Sequence, residues 1–327
     1  MKALVRFSDT PGDFGMAEVR EPAVVPGKVK IKIAYCGICG SDIHIYNGFE
    51  SGLPQGIHGH EFSGVISEVG EEVEDYHVGD KVTAEHTFST CGVCEYCKTG
   101  RYHLCAKRKS IGFDQQGGFT EYIVVDPQYI HRVPDRVDLK SAALTEPLAC
   151  IIHAIDKVDI QPTQRILIVG PGPMGILAGL TLLAYGCAVD IMGTLVDRER
   201  LEIAAKHGMN VIEKAESNFY PIVVECSGSN GGINICLDAV KKGGTILQIA
   251  IATKEITLPY HLLVYKELCI QATFCHVWKD WEQALSLQRD GLLDLSPVIT
   301  EIEPLENWET GFDAMIEKKG LKVLLEV

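Results

Sequence analysis

Ile166-Leu167-Ile168-Val169-Gly170-Pro171-Gly172-Pro173-Met174-Gly175 sets a short apolar run directly before a G-x-G-x-x-G turn, and residues 176–185 continue as a helix-forming stretch. A buried strand, a glycine turn and a helix, in that order, open a dinucleotide-binding βαβ unit. Gly170 permits the turn, Gly172 lets backbone approach a pyrophosphate, and Gly175 allows the helix to pack close to the strand. Pro173 and Met174 belong to the same cofactor-binding turn, at a helix N-terminus whose positive potential suits a diphosphate. Without its flanks the motif is weak, because a purely structural glycine turn looks the same; the strand before and helix after decide for a nucleotide site. Strand and helix signals alternate from Arg165 onward, which predicts an α/β unit with a doubly wound parallel sheet. The second strand, Ala188-Val189-Asp190-Ile191-Met192, leads to Gly193-Thr194-Leu195-Val196 instead of the acidic residue that binds the ribose hydroxyls of NAD. Asp197-Arg198-Glu199-Arg200 then opens the next helix, one residue late, so that Asp197 can swing back to the ribose.

Upstream the texture is β-rich. Val29-Lys30-Ile31-Lys32-Ile33 and Ser63-Gly64-Val65-Ile66-Ser67-Glu68-Val69 alternate with period two, separated by turn signals at Pro26-Gly27, Gly70 and Gly79-Asp80. The last residues hold a helix over 307–318 and a strand over 322–327. A length of 327 residues points to two domains. With 46% hydrophobic and 23% charged residues, the chain can bury a sizeable core and is not disordered. Acidic residues outnumber basic ones, 44 to 30, for a net charge of −14, so neither nucleic acid nor an anionic membrane is an expected partner. No secretory signal precedes the first strand, and glycines and prolines break the apolar run around 166–184, so a cytoplasmic location is expected. In that compartment clustered cysteines are metal ligands more often than disulfides.

Cysteines number 12, and four of them fall in Cys91-Gly92-Val93-Cys94-Glu95-Tyr96-Cys97 and Cys105. Four thiolates at C-x2-C-x2-C-x7-C spacing can wrap one tetrahedral zinc, and a site with four protein ligands is closed and therefore structural. Two disulfides or free thiols are the alternative. A second constellation is Cys39-Gly40-Ser41-Asp42-Ile43-His44, then Gly59-His60-Glu61, then Glu146-Pro147. Cys39, His60, Glu61 and Glu146 make a mixed ligand set that would leave a zinc open to water or substrate. Singly, each residue has a bland reading: a small buried Cys39, a core His60, surface carboxylates at Glu61 and Glu146.

The order of these motifs, with Val78-Gly79-Asp80-Lys81-Val82 between them and Glu146-Pro147-Leu148 after them, resembles the zinc-dependent medium-chain dehydrogenases over essentially the whole chain. Glu-Pro-Leu, where other members carry a cysteine ligand, resembles the sorbitol (polyol) and threonine dehydrogenase branch. The resemblance implies a GroES-like β-rich catalytic domain over residues 1–150 and 289–327, and a Rossmann cofactor domain over 151–288. It implies that Cys39 and His60 ligate a catalytic zinc, with Glu61 a ligand in some states and Glu146 one directly or through water. Asp42 would orient His60, Ser41 would hydrogen-bond the substrate hydroxyl, and His44 would pass the proton outward. Two zincs per subunit follow, one catalytic and one structural.

Gly193-Thr194 resembles the NADP-dependent members, where a small or hydroxyl residue makes room for the 2′-phosphate. Thr194, Arg198 and Arg200 are the candidate contacts, and NADP is favoured over NAD. Relatives place a helix between the strands near Val211 and Tyr220, and it is missing here. The implied activity is interconversion of a secondary alcohol (polyol, sugar or sugar-acid derivative) and a ketone by hydride transfer, with a homodimer or homotetramer expected. Threonine-type amino-alcohol oxidation is the alternative within the class, and a non-catalytic nucleotide or zinc sensor the alternative outside it. Ile45, Tyr46, Phe49, Phe113 and His276 are candidate pocket walls, with packing the competing role for Tyr46 and Phe49.

Overall fold

A computed structural model describes residues 1–49 and 55–327. Contacts divide the chain into two units, residues 1–146 with 277–327, and residues 147–276.

The first unit is built on a seven-stranded sheet. Its order is Ile130–Arg132, Lys81–Ala84, Glu61–Val69, Val29–Gly37, Lys322–Glu326 and Ile299–Pro304, with Tyr122–Val125 also pairing Val29–Gly37. Val29–Gly37 is the hub because its alternation buries Val29, Ile31 and Ile33 against Phe62, Ile66 and Phe119. The strand Lys322–Glu326 runs antiparallel beside it, Leu324 opposite Gly37 and Leu325 opposite Cys36. The strand Lys322–Glu326 therefore fills an interior place in a sheet whose earliest strand in sequence is Val29–Gly37. The helix Trp308–Ile316 covers it with Trp308 and Phe312, on which Phe14 and Tyr46 also pack.

The second unit is a six-stranded parallel sheet ordered Asn210–Val211, Ala188–Met192, Arg165–Val169, Tyr220–Glu225, Val240–Gln248, Cys269–Ala272. This is the doubly wound order, whose direction reverses between Arg165–Val169 and Tyr220–Glu225. The run Ile166–Val169 is buried on both faces, which explains a continuous apolar stretch in place of alternation. No helix lies between Val211 and Tyr220. In its place a polar knot ties the sheet together. The buried Asp190 carboxylate accepts from Arg165 (2.7 and 2.9 Å), from Tyr220 Oη (2.6 Å) and from Asn210 Nδ2 (2.7 Å).

The division between units departs from the expected boundaries at both ends. It falls after Glu146, and residues 277–288, expected in the cofactor domain, belong to the first unit. The reason lies in the helix Trp278–Arg289. Trp281 stacks on His131 (5.1 Å, 8°), and Glu282 Oε1 lies 2.6 Å from His131 Nδ1. Among the described residues no helix is long and apolar enough to cross a membrane.

Candidate active site

Cys39 caps the helix Gly40–Tyr46, and the Asp42 carboxylate accepts its backbone N–H at 2.9 Å. That cap fixes the direction of the Cys39 side chain at the end of the hub strand. His60 and Glu61 enter from the neighbouring strand Glu61–Val69, where Glu61 pairs with Gly37. Ligand atoms of Cys39, His60 and Glu61 all lie within 4.8 Å of one another. Burial opposes a charged His60, yet its hydrogen bond and attraction to Cys39, reinforced by Asp42 and Glu146, lift its pKa to about 10. A buried imidazole driven this far by surrounding negative charge marks a place that suits a cation. The donor set, one sulfur, one imidazole and carboxylates, suits zinc with a position left open.

The other expected residues gather around this cluster with some differences. Asp42 Oδ1 is 4.0 Å from His60 Nδ1, beyond hydrogen-bond length. Ser41 Oγ is buried and has no hydrogen-bond partner among the described residues, so no direct bond joins it to the half-buried His44. Glu146, in the first turn of the helix Thr145–Ile155, lies outside the 4.8 Å group and has Oε1 3.0 Å from His86 Nδ1. Phe113 packs on the His60 ring at 5.0 Å, whereas Tyr46 is spent on the Phe14–Trp308–Phe312 cluster and Phe49 is exposed.

Sequence reading missed Lys322. Its ammonium donates to both oxygens of Glu61, at 2.6 Å to Oε2, and to the Ile38 carbonyl at 3.1 Å. Both side chains are buried, and although burial favours the neutral amine, Glu61 and Cys39 hold the Lys322 pKa above its ordinary range. The available signal was a lysine at the head of the apolar run Lys322-Val323-Leu324-Leu325, where solvent cannot reach it. His86 and Arg108 were missed too, because neither lies in a recognisable motif.

The four cysteines of the lobe converge. Sulfur–sulfur separations are 3.5 Å for Cys94–Cys97, 3.6 Å for Cys91–Cys105 and 3.9 Å for Cys91–Cys97. A tetrahedron with zinc–sulfur bonds of about 2.3 Å has edges of about 3.8 Å, so the spacing fits the ion, and disulfide bonds of about 2.05 Å do not form. Hydrogen bonds from the backbone N–H groups of Val93 and Cys94 bring the Cys91 thiol down to about 6, while at Cys94 the backbone hydrogen bond from Cys97 is overcome by burial and the neighbouring thiols, which push it up to about 11, so the four sulfurs share protons that a metal would displace.

In the second unit Gly170 has φ +105°, and a Cβ on Gly175 would sit 2.0 Å from the Gly170 carbonyl oxygen, so neither position accepts a side chain. Gly172 caps the helix Pro173–Ala184 and faces open space, a cradle that fits a pyrophosphate. At the second strand, Thr194 donates its N–H (2.9 Å) and hydroxyl (2.7 Å) to Asp197. Arg198 is exposed and paired with Glu202 at 3.2 Å, while Arg200 is buried, which lowers its pKa. Unassigned in sequence, Glu225 is buried at the carboxyl end of its strand and orders the following loop, accepting from Ser227 N (2.8 Å), Gly228 N (3.1 Å) and Gln248 Nε2 (2.7 Å).

A β-rich unit carrying a mixed metal-ligand set and a closed cysteine lobe, joined in one chain to a doubly wound nucleotide unit, defines a metal-dependent nicotinamide oxidoreductase. Residues 25–135 match the alcohol dehydrogenase GroES-like domain, and residues 173–289 match the zinc-binding dehydrogenase model. The chain is 36% identical to a sorbitol dehydrogenase of Halalkalibacterium halodurans, with 99% of each chain covered. It is 34% identical to a D-arabitol-phosphate dehydrogenase of Enterococcus avium, covering 100% of this chain and 97% of that one. The solved 2R,3R-butanediol dehydrogenase of Bacillus subtilis superposes with a TM-score of 0.90 at 28% identity, covering 100% and 99%. The chain belongs to the zinc-dependent medium-chain dehydrogenase family, in its polyol and threonine dehydrogenase branch, and is an oxidoreductase that interconverts an alcohol and a ketone.

Proposed function

We propose that the substrate is a polyol, a sugar alcohol or its phosphate, or a sugar-acid derivative, oxidised at a secondary hydroxyl to the ketone with NADP as the favoured acceptor. The carrying observation is the group of Cys39, His60 and Glu61 within 4.8 Å, beside the buried, unpartnered Ser41 hydroxyl. A zinc bound there supplies a Lewis acid that acidifies an alcohol, or polarises a carbonyl in the reverse direction. Cys39 and His60 hold it, Glu146 directly or through water, and Glu61 in those states in which it leaves Lys322. Ser41 hydrogen-bonds the reacting hydroxyl and receives its proton, and His44, without a direct bond to Ser41, takes it onward through water. Cys91, Cys94, Cys97 and Cys105 hold the second, structural zinc. The turn of Gly170, Gly172, Pro173, Met174 and Gly175 receives the pyrophosphate, with the backbone N–H groups of Met174 and Gly175 in the first helical turn as donors. Thr194 and Arg198 face the 2′-phosphate, Arg198 after releasing Glu202, with Arg200 behind them.

The Asp197 carboxylate on Thr194 favours a second reading, NAD with Asp197 on the ribose hydroxyls. The exposed edge strand Cys269–Ala272 supports a homodimer, or a tetramer of such pairs. The test is zinc content together with turnover on a panel of polyols, polyol phosphates, sugar acids and amino alcohols, each with NAD and NADP. Turnover confined to amino alcohols would replace the polyol reading with the threonine type. Wild-type turnover in Cys39→Ser or His60→Ala would overturn the catalytic assignment.

A further inference from the structure

Arg108, three residues beyond the last cysteine of the lobe, reaches back toward Glu146 through a single imidazole. The strand Thr87–Ser89 pairs with Lys109–Ser110, Ser89 opposite Lys109, and Ile111 N–H donates to the His86 carbonyl at 2.7 Å. Arg108 N–H donates to the Cys105 carbonyl at 2.9 Å, so the lobe sets where Arg108 begins. Its Nε donates to Thr87 Oγ1 at 3.2 Å, and its Nη2 lies 2.6 Å from His86 Nε2. On the other side of the ring, His86 Nδ1 lies 3.0 Å from Glu146 Oε1. His86 and Glu146 are both buried.

The contact between Arg108 and His86 has a direction. A guanidinium carries five donors and no acceptor, so His86 Nε2 must accept. A ring nitrogen that accepts carries no proton, so the ring proton of this tautomer sits on Nδ1, 3.0 Å from Glu146 Oε1. We propose that Arg108 and His86 are positioning residues for Glu146: Arg108 fixes the Nδ1–H tautomer of His86, and His86 in turn fixes the Glu146 carboxylate toward the catalytic metal position. Holding Oε1 sets the plane in which the second oxygen lies. It also explains why Glu146 stands just outside the tight Cys39–His60–Glu61 group yet adds to the charge felt by His60. The inference rests on the proposed role of Glu146 at the metal, and it gives the cysteine lobe a task beyond stability, that of delivering Arg108.

The first test is nitrogen-15 NMR of the histidine rings in the zinc-loaded full chain, with His86 assigned by its loss in His86→Asn. The expected pattern is a protonated Nδ1 and a bare Nε2, shifting toward the Nε2–H tautomer in Arg108→Met. A protonated Nε2 in the unsubstituted chain overturns the proposal. The second test is zinc affinity of the open site by chelator competition, with kcat and KM. His86→Leu, which fills space but cannot donate, is expected to weaken zinc 10–100-fold. His86→Asn, whose amide can accept from Arg108 and donate to Glu146, is expected to recover most of the loss. Equal behaviour of Leu and Asn at position 86 would make His86 a packing residue and sink the positioning role. Failure of the underlying metal reading looks different: Cys39→Ser would keep its zinc and its turnover, whatever the tautomer of His86.

Discussion

Replacing Lys322 with methionine keeps the length of the stem and takes the ammonium away from both oxygens of Glu61. Glu61 is 1% exposed and Lys322 2%, so water cannot take over the lost contacts. Breaking a buried pair by removing one partner costs about 3–5 kcal/mol, whereas replacing both partners is often close to neutral. At about 2–4 °C per kcal/mol for a unit of this size, the variant should melt about 6–20 °C below the parent. All three tryptophans, Trp278, Trp281 and Trp308, lie in the first unit, so their fluorescence in a thermal or urea titration follows that unit alone. The double variant Glu61→Gln/Lys322→Met should recover most of the loss, since no buried charge is left without its partner. Stability of Lys322→Met within about 1 kcal/mol of the parent would refute the reasoning, because the single-partner penalty of about 3–5 kcal/mol would then be missing. So would a double variant no more stable than the single one.

Other consequences are open to measurement. Burial works against the Asp190 carboxylate, but hydrogen bonds from Arg165, Tyr220 and Asn210 outweigh it and hold the pKa below the ordinary range. A depressed folded-state value contributes stability above the unfolded pKa of about 4 and loses it as pH falls through the folded value. Asp190→Asn should therefore destabilise the second unit at pH 7 and progressively less below about pH 4, read by hydrogen exchange in the Arg165–Val169 strand; a penalty independent of pH would count against the knot. Cys97→Ser should remove one zinc per chain by elemental analysis and lower the melting of the first unit, and unchanged zinc content would dismiss the closed site. Arg198→Ala should weaken NADP far more than NAD, and Thr194→Asp should shift preference toward NAD; equal binding of both cofactors by both variants would turn the choice to Asp197.

Much of this molecule is legible in the chain because its signals are local. The glycine turn needs its strand before and its helix after, and all three are contiguous from Ile166 to Ala184. The cysteine lobe closes within fifteen residues, so spacing alone predicts that four sulfurs can meet, as Cys91, Cys94, Cys97 and Cys105 do. The absent helix after Val211 could be counted off from the distance to the next apolar strand. What the chain could not show is the partner that arrives from far away. Lys322 meets Glu61 across 261 residues because a terminal strand pairs with the hub strand. Residues 277–288 join the first unit because Trp281 and Glu282 find His131.

By itself, then, the sequence determined the two kinds of domain, two sets of candidate metal ligands and the glycine turn, since each depends on residue type and short-range spacing. Only the tertiary structure decided what meets the carboxylates: Glu61 a buried lysine, Glu146 a histidine that an arginine meets on its other ring nitrogen. The physical reason is that a buried charge must find a partner wherever the fold supplies one, and sheet pairing, not sequence distance, determines where that is.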